Sequence, residues 1–77
     1  MNMSKNEKLV EDKLGREALE YIKGVFIEAY NSDEDVDLHD LSYLLAGDLE
    51  EQELINIPAT YAVNIIQLYI SELISVN

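Results

Sequence analysis

Sixteen carboxylates, one histidine and no cysteine set the chemistry open to this 77-residue chain. The densest carboxylate group is Asp33-Glu34-Asp35-Val36-Asp37, which puts acids at the first, third and fifth positions of a calcium-binding EF-hand loop. The rest of that loop is missing. Its sixth position should be glycine and is Leu38, and its twelfth should be glutamate and is Leu44. Clustered acids alone hold divalent cations only weakly, so no metal site is expected. His39 has Asp37 and Asp40 close by to orient it as a general base. The simpler reading is a partly exposed helix residue among acids. A single histidine allows neither a two-histidine zinc site nor an HExxH motif. Without cysteine there is no thiolate ligand, thiol nucleophile or disulfide. No glycine-rich phosphate loop is present. The expectation is a protein that is not an enzyme and uses no cofactor.

Charge is the stronger signal. The net charge is −11 and it is unevenly placed. Residues 1–23 hold all five bases (Lys5, Lys8, Lys13, Arg16, Lys23) and five acids, so they sum to zero. Residues 24–77 hold eleven acids and no lysine or arginine, and ten of those acids fall between Glu28 and Glu53. Direct contact with nucleic acid needs the opposite sign, and an anionic membrane surface is disfavoured for the same reason. A helix-turn-helix over residues 38–56 would present Glu50, Glu51 and Glu53 to DNA phosphates with no cation to offset them. The uncharged stretch Leu54–Ser71 is about long enough to span a bilayer, but it carries Asn56, Pro58, Thr60, Asn64 and Gln67 and has no flanking lysine or arginine. Residues 1–6 lack an apolar signal region. A soluble, cytoplasmic chain is expected.

The elements that must position these residues read as helices throughout, giving an all-α single domain over 1–77. Ser4 and Glu7 form a capping box for a first long helix, about 4–30. Its apolar stripe is Val10, Leu14, Ala18, Tyr21, Ile22, Val25 and Ala29 at helical spacing. Gly15 and Gly24 interrupt it; a break near Gly15 or close backbone packing near Gly24 would account for them. Asp37 caps a short acidic helix, about 38–46, which Gly47 is expected to end. Asp48 then caps a second short acidic helix, about 49–55. Asn56-Ile57-Pro58 breaks the chain, because proline disfavours helix at its predecessor and suits a first turn. The last long helix runs about 58–76 and is apolar on most of its circumference, the mark of an element covered on several sides. Ile66 and Tyr69 are expected on its most buried face, with Leu14, Val25 and Leu44 packed nearby.

Two surfaces follow. One is acidic: Asp33, Glu34, Asp35, Asp37, Asp40, Asp48, Glu50, Glu51 and Glu53, held on short helices and a loop, can stand in for a phosphate array. The other is apolar: Leu19, Phe26, Ile27, Tyr30 and Ile70 exceed what two short helices cover, and a homodimer through them is expected. In size, charge and helix content the chain resembles small acidic inhibitors encoded by phages and mobile elements, among them DNA mimics, anti-restriction and anti-CRISPR proteins. Helical immunity proteins that neutralise nuclease toxins share the same features. No motif accompanies the likeness, so no residue is carried over from it. It implies a binding protein that inhibits a basic, nucleic-acid-handling partner. The alternative is a helical oligomerisation or regulatory adaptor module, with the acids serving only solubility.

Overall fold

The computed structural model describes residues 3–32 and 37–76. They form four helices: α1 (Lys5–Leu14), α2 (Arg16–Asn31), α3 (Leu38–Glu51) and α4 (Ala59–Val76). No strand occurs among the described residues.

Ser4 starts α1 as expected, its Oγ accepting the Glu7 amide at 3.1 Å. The first long helix is not continuous, however. Gly15 has φ +99° and ψ 162°, backbone that only glycine adopts freely. Its amide donates to the carbonyls of Glu11 and Val10, closing α1, while its own carbonyl accepts from Leu19 and opens α2. One residue therefore ends a helix and begins the next. The chain folds back as a V, and Lys23 of α2 meets Glu7 of α1 at 3.0 Å across its arms. Near the vertex Arg16 pairs with Glu11 at 2.7 Å.

The two short acidic helices are in fact one. Asp37 caps it, its Oδ1 accepting the amides of His39 at 2.8 Å and Asp40 at 3.4 Å. Gly47 does not end it, and the helix passes through Gly47 and Asp48 to Glu51. The reason lies in packing. Leu41, Ser42, Leu45, Ala46 and Leu49 are all buried and share one face, so stopping at Gly47 would forfeit Leu49. That burial is worth roughly 2 kcal/mol, against about 1 kcal/mol for a glycine in a helix interior. The left-handed residue that ends the helix is Glu53, at φ 59°. The Leu54 amide donates back to the Leu49 carbonyl at 2.9 Å, the wrap-around bond of a helix C-terminus.

Pro58 breaks the chain as expected and its carbonyl accepts from Tyr61 and Ala62 to open α4. Glu50 Oε2 accepts the Ala59 amide at 3.0 Å, so an acid of α3 caps the next helix. These contacts set α3 and α4 side by side and antiparallel, with His39 beside Gln67 and Glu50 beside Ala59. The α1 helix lies on α4, where Asn6 Nδ2 donates to Glu72 Oε1 at 3.2 Å.

The core fills the angle between these pairs. Val10, Ala18, Ile22, Leu45, Leu49, Ile66, Tyr69 and Ile70 are fully enclosed. Ile66 and Tyr69 sit where the sequence places them; Leu14 is buried and Val25 partly so. Leu44 is a correction. It is 58% exposed, because the continuous α3 turns Leu41 and Leu45 inward and Leu44 outward. Three residues expected at an oligomer interface, Leu19, Phe26 and Ile70, also prove to be core. The fold-back at Gly15 covers within one chain what a straight helix would leave for a second. The molecule measures 32 × 29 × 17 Å, a slab less than two helix diameters thick.

Candidate functional site

The outer face of α3 brings exposed acidic and apolar side chains together. With Leu41, Leu45 and Leu49 turned to α4, helical spacing sends Asp40, Tyr43, Leu44, Gly47 and Glu51 to solvent. Tyr43 is 57% exposed. Its ring meets that of His39 edge-on, with centroids 5.3 Å apart. His39 in turn hydrogen-bonds through Nδ1 to the side-chain amide of Gln67 on α4, which ties this edge of the face to the neighbouring helix. The imidazole is thus held by an amide and a ring.

The nine acids named from sequence separate into distinct groups. Asp33, Glu34 and Asp35 lie outside the described residues. Asp37, Asp48 and Glu50 each hold the fold together. Asp37 caps α3 and Glu50 caps α4, while Asp48 accepts the Tyr21 hydroxyl at 3.0 Å, linking α3 to α2. Burial, reinforced by that carboxylate, pushes the Tyr21 hydroxyl pKa up. The remaining three, Asp40, Glu51 and Glu53, are exposed. Both ion pairs among the described residues are in α1 and α2, so no cation offsets these acids. Asp40 and Glu51 mark opposite ends of the face, about 16 Å apart along the helix at 1.5 Å per residue. Tyr43, Leu44 and Gly47 lie between them. Asp40 and Glu51 therefore frame an apolar centre.

That apolar centre was not legible in advance. Ending the helix at Gly47 hides the relation between Leu44 and Leu49. Only the period running from Leu41 through Leu45 to Leu49 shows that Leu44 belongs to the other side.

A second exposed apolar area lies on α2, where Ile27 and Tyr30 are 57% and 54% exposed. Tyr30 leans on Phe26 with ring centroids 5.6 Å apart. Beneath Ile27 is a hollow of about 290 Å³ lined by Glu7, Lys23, Phe26, Ile27, Tyr69 and Leu73. Tyr69 is fully buried and its hydroxyl has no hydrogen-bond partner. Burial first, then the fields of Glu7 and Glu72, push its pKa up to about 12.

Among the described residues no three of His, Cys, Asp and Glu come together as metal ligands. No described helix is long and apolar enough to cross a membrane. No protein-family model, curated protein or solved structure matches the chain.

Proposed function

We propose that this chain is a non-enzymatic, cytoplasmic binding protein that inhibits or sequesters a basic, nucleic-acid-handling protein by charge complementarity. The observation that carries this reading is the outer face of α3, where exposed acids without cations frame exposed Tyr43 and Leu44. Acids that only kept the chain in solution would have no need of an apolar centre. A large apolar side chain left in water amid charges of one sign is what a docking surface presents before its partner arrives. Glu53 adds support. It occupies a left-handed position at the end of α3, where glycine would relieve about 1 kcal/mol or more of strain. A carboxylate is nevertheless present there, beside Glu50 and Glu51.

The test separates charge from fold, because the structure shows which acids are free of structural duty. Affinity capture identifies the retained protein, and its affinity is then measured for the parent and for Asp40→Asn/Glu51→Gln/Glu53→Gln. The triple variant is expected to bind more weakly with helix content unchanged, and parent binding should fall steeply with salt as exposed charges are screened. Nucleic acid should compete for the same partner site. If neither salt nor the triple variant alters affinity by more than about twofold, charge complementarity is not the mechanism.

A second reading, a helical oligomerisation or adaptor module, draws on Ile27 and Tyr30, which stay exposed after the fold has covered Leu19, Phe26 and Ile70. It expects a homodimer lost on Ile27→Ser/Tyr30→Ser and indifferent to the acidic triple variant. Partner affinity of the two variants distinguishes the readings: loss with Ile27→Ser/Tyr30→Ser favours the module, and loss with the acidic triple variant favours charge complementarity.

A further inference from the structure

We infer that the outer face of α3 receives an α-helix of the partner, basic at both ends of the contact and laid across Gly47. This rests on the reading above that the partner is basic; what it adds is the partner's secondary structure and where it sits.

Gly47 is the first ground. It sits within α3, is exposed, and has no backbone need to be glycine, since Gly15 is the glycine with positive φ. A Cβ built on Gly47 meets nothing within 4 Å, so no neighbour in the fold requires the gap; Gly24 is equally open, but its helix carries Arg16 and Lys23 whereas α3 has no lysine or arginine. An exposed glycine in a helix interior lowers stability relative to alanine. What the missing side chain does provide is a place where another backbone can come close, and helix axes approach most nearly where the side chains between them are small. Tyr43 and Leu44, one turn away and more than half exposed, flank that low point as anchors.

The kind of segment follows from α3 itself. Its backbone groups are engaged within the helix, so it has no free edge to pair with a strand. An extended segment laid on it would keep its own amides unpaired or wet. A helix brings its backbone bonds already made and contributes only side chains. Charge fixes the rest: Asp40 and Glu51 lie eleven positions apart on one face and have no cation beside them among the described residues. A helix running alongside matches this with lysine or arginine about eleven residues apart, three turns, at either end of an apolar stretch.

The probe is a synthetic helical peptide of lysine, leucine and alanine, with lysines at that separation around a leucine stripe. Its controls are an isomer broken by two central prolines and an oligolysine of equal charge. Binding is followed by amide chemical shifts of the labelled protein and by titration at about 0.15 M salt. The helical peptide is expected to bind at least about tenfold more tightly than either control. Its largest shifts should fall on residues 43–47. Gly47→Gln, which has open space around it and a better helix former in place, should melt at a higher temperature than the parent yet bind about tenfold more weakly. A purely structural glycine would not move these two readouts in opposite directions. Equal affinity for the three peptides, shifts centred elsewhere, or binding untouched by Gly47→Gln would overturn the helix inference and leave the charge reading standing. Failure of every basic probe to bind, even at low salt, would remove the reading on which it rests.

Discussion

Replacing Gly15 by alanine tests the fold at its narrowest point, because the continuous and the folded-back chain predict opposite signs. In the structure Gly15 is at φ +99°, where an L side chain is strained by about 1–3 kcal/mol. A Cβ there meets no atom within 4 Å, so the strain is purely in the backbone. Stiffening the unfolded chain returns about 0.4–1 kcal/mol. The net loss is at most about 2.6 kcal/mol and centres near about 1.3 kcal/mol, which in a domain of this length lowers Tm by roughly 5–10 °C. Thermal and urea unfolding followed by circular dichroism measure it directly. D-Alanine at the same position, accessible by chemical synthesis, takes up this φ without strain and should match or exceed the parent. Were residues 4–30 one straight helix, Gly15→Ala would instead stabilise it by up to about 1 kcal/mol. A rise in Tm would refute the fold-back and, with it, the burial of Leu19 and Phe26 in the monomer.

Three further outcomes are expected. Ile66→Ala, at a fully enclosed site, should cost about 2–5 kcal/mol, close to the whole stability of so small a domain; a variant melting within a few degrees of the parent would contradict the placement of α4. Leu45→Ala should cost a similar amount while Leu44→Ala stays within about 0.5 kcal/mol, and equal losses in urea unfolding would contradict the register of α3. Burial pushes the Tyr69 pKa up to about 12 in the fold against 10.0 when unfolded, so the unfolded state releases the proton first and the fold loses stability as pH rises from 10 towards 12. Tyr69→Phe should therefore unfold less steeply in alkali than the parent, and it should lose nothing at neutral pH, since the hydroxyl it removes has no partner.

What could be read beforehand was whatever local chemistry decides alone. The caps at Ser4 and Asp37, the break at Pro58 and the inward face carrying Ile66 and Tyr69 each depend on a few adjacent residues or on one period. The glycines were not of that kind. Gly15 and Gly47 look alike in sequence, each a single glycine within a helical pattern, and each carries the same modest propensity cost. Their fates differ because of distant partners. Breaking at Gly15 lays Val10 and Leu14 against the core, whereas breaking at Gly47 would cost Leu49 its place on α4. The acidic surface was legible as composition but not as roles. That Asp37, Asp48 and Glu50 hold hydrogen bonds while Asp40, Glu51 and Glu53 do not depends on where Tyr21 and Ala59 arrive.

The separation of ion-paired and unpaired charge also governs how the molecule behaves before it touches anything. Lys23 of α2 is clasped to Glu7 of α1 and Arg16 of α2 to Glu11 of α1, and the sequence beyond Lys23 contains no lysine or arginine. The centre of negative charge is thus displaced from the centre of mass towards the α3 side. In the field of a cationic surface such a body experiences a torque as well as an attraction. It turns while still about a Debye length away, roughly 8 Å at physiological salt, and arrives with α3 leading. Fewer collisions are wasted on the wrong face. A chain with the same −11 spread evenly would be drawn in as strongly and would have to find its orientation by chance.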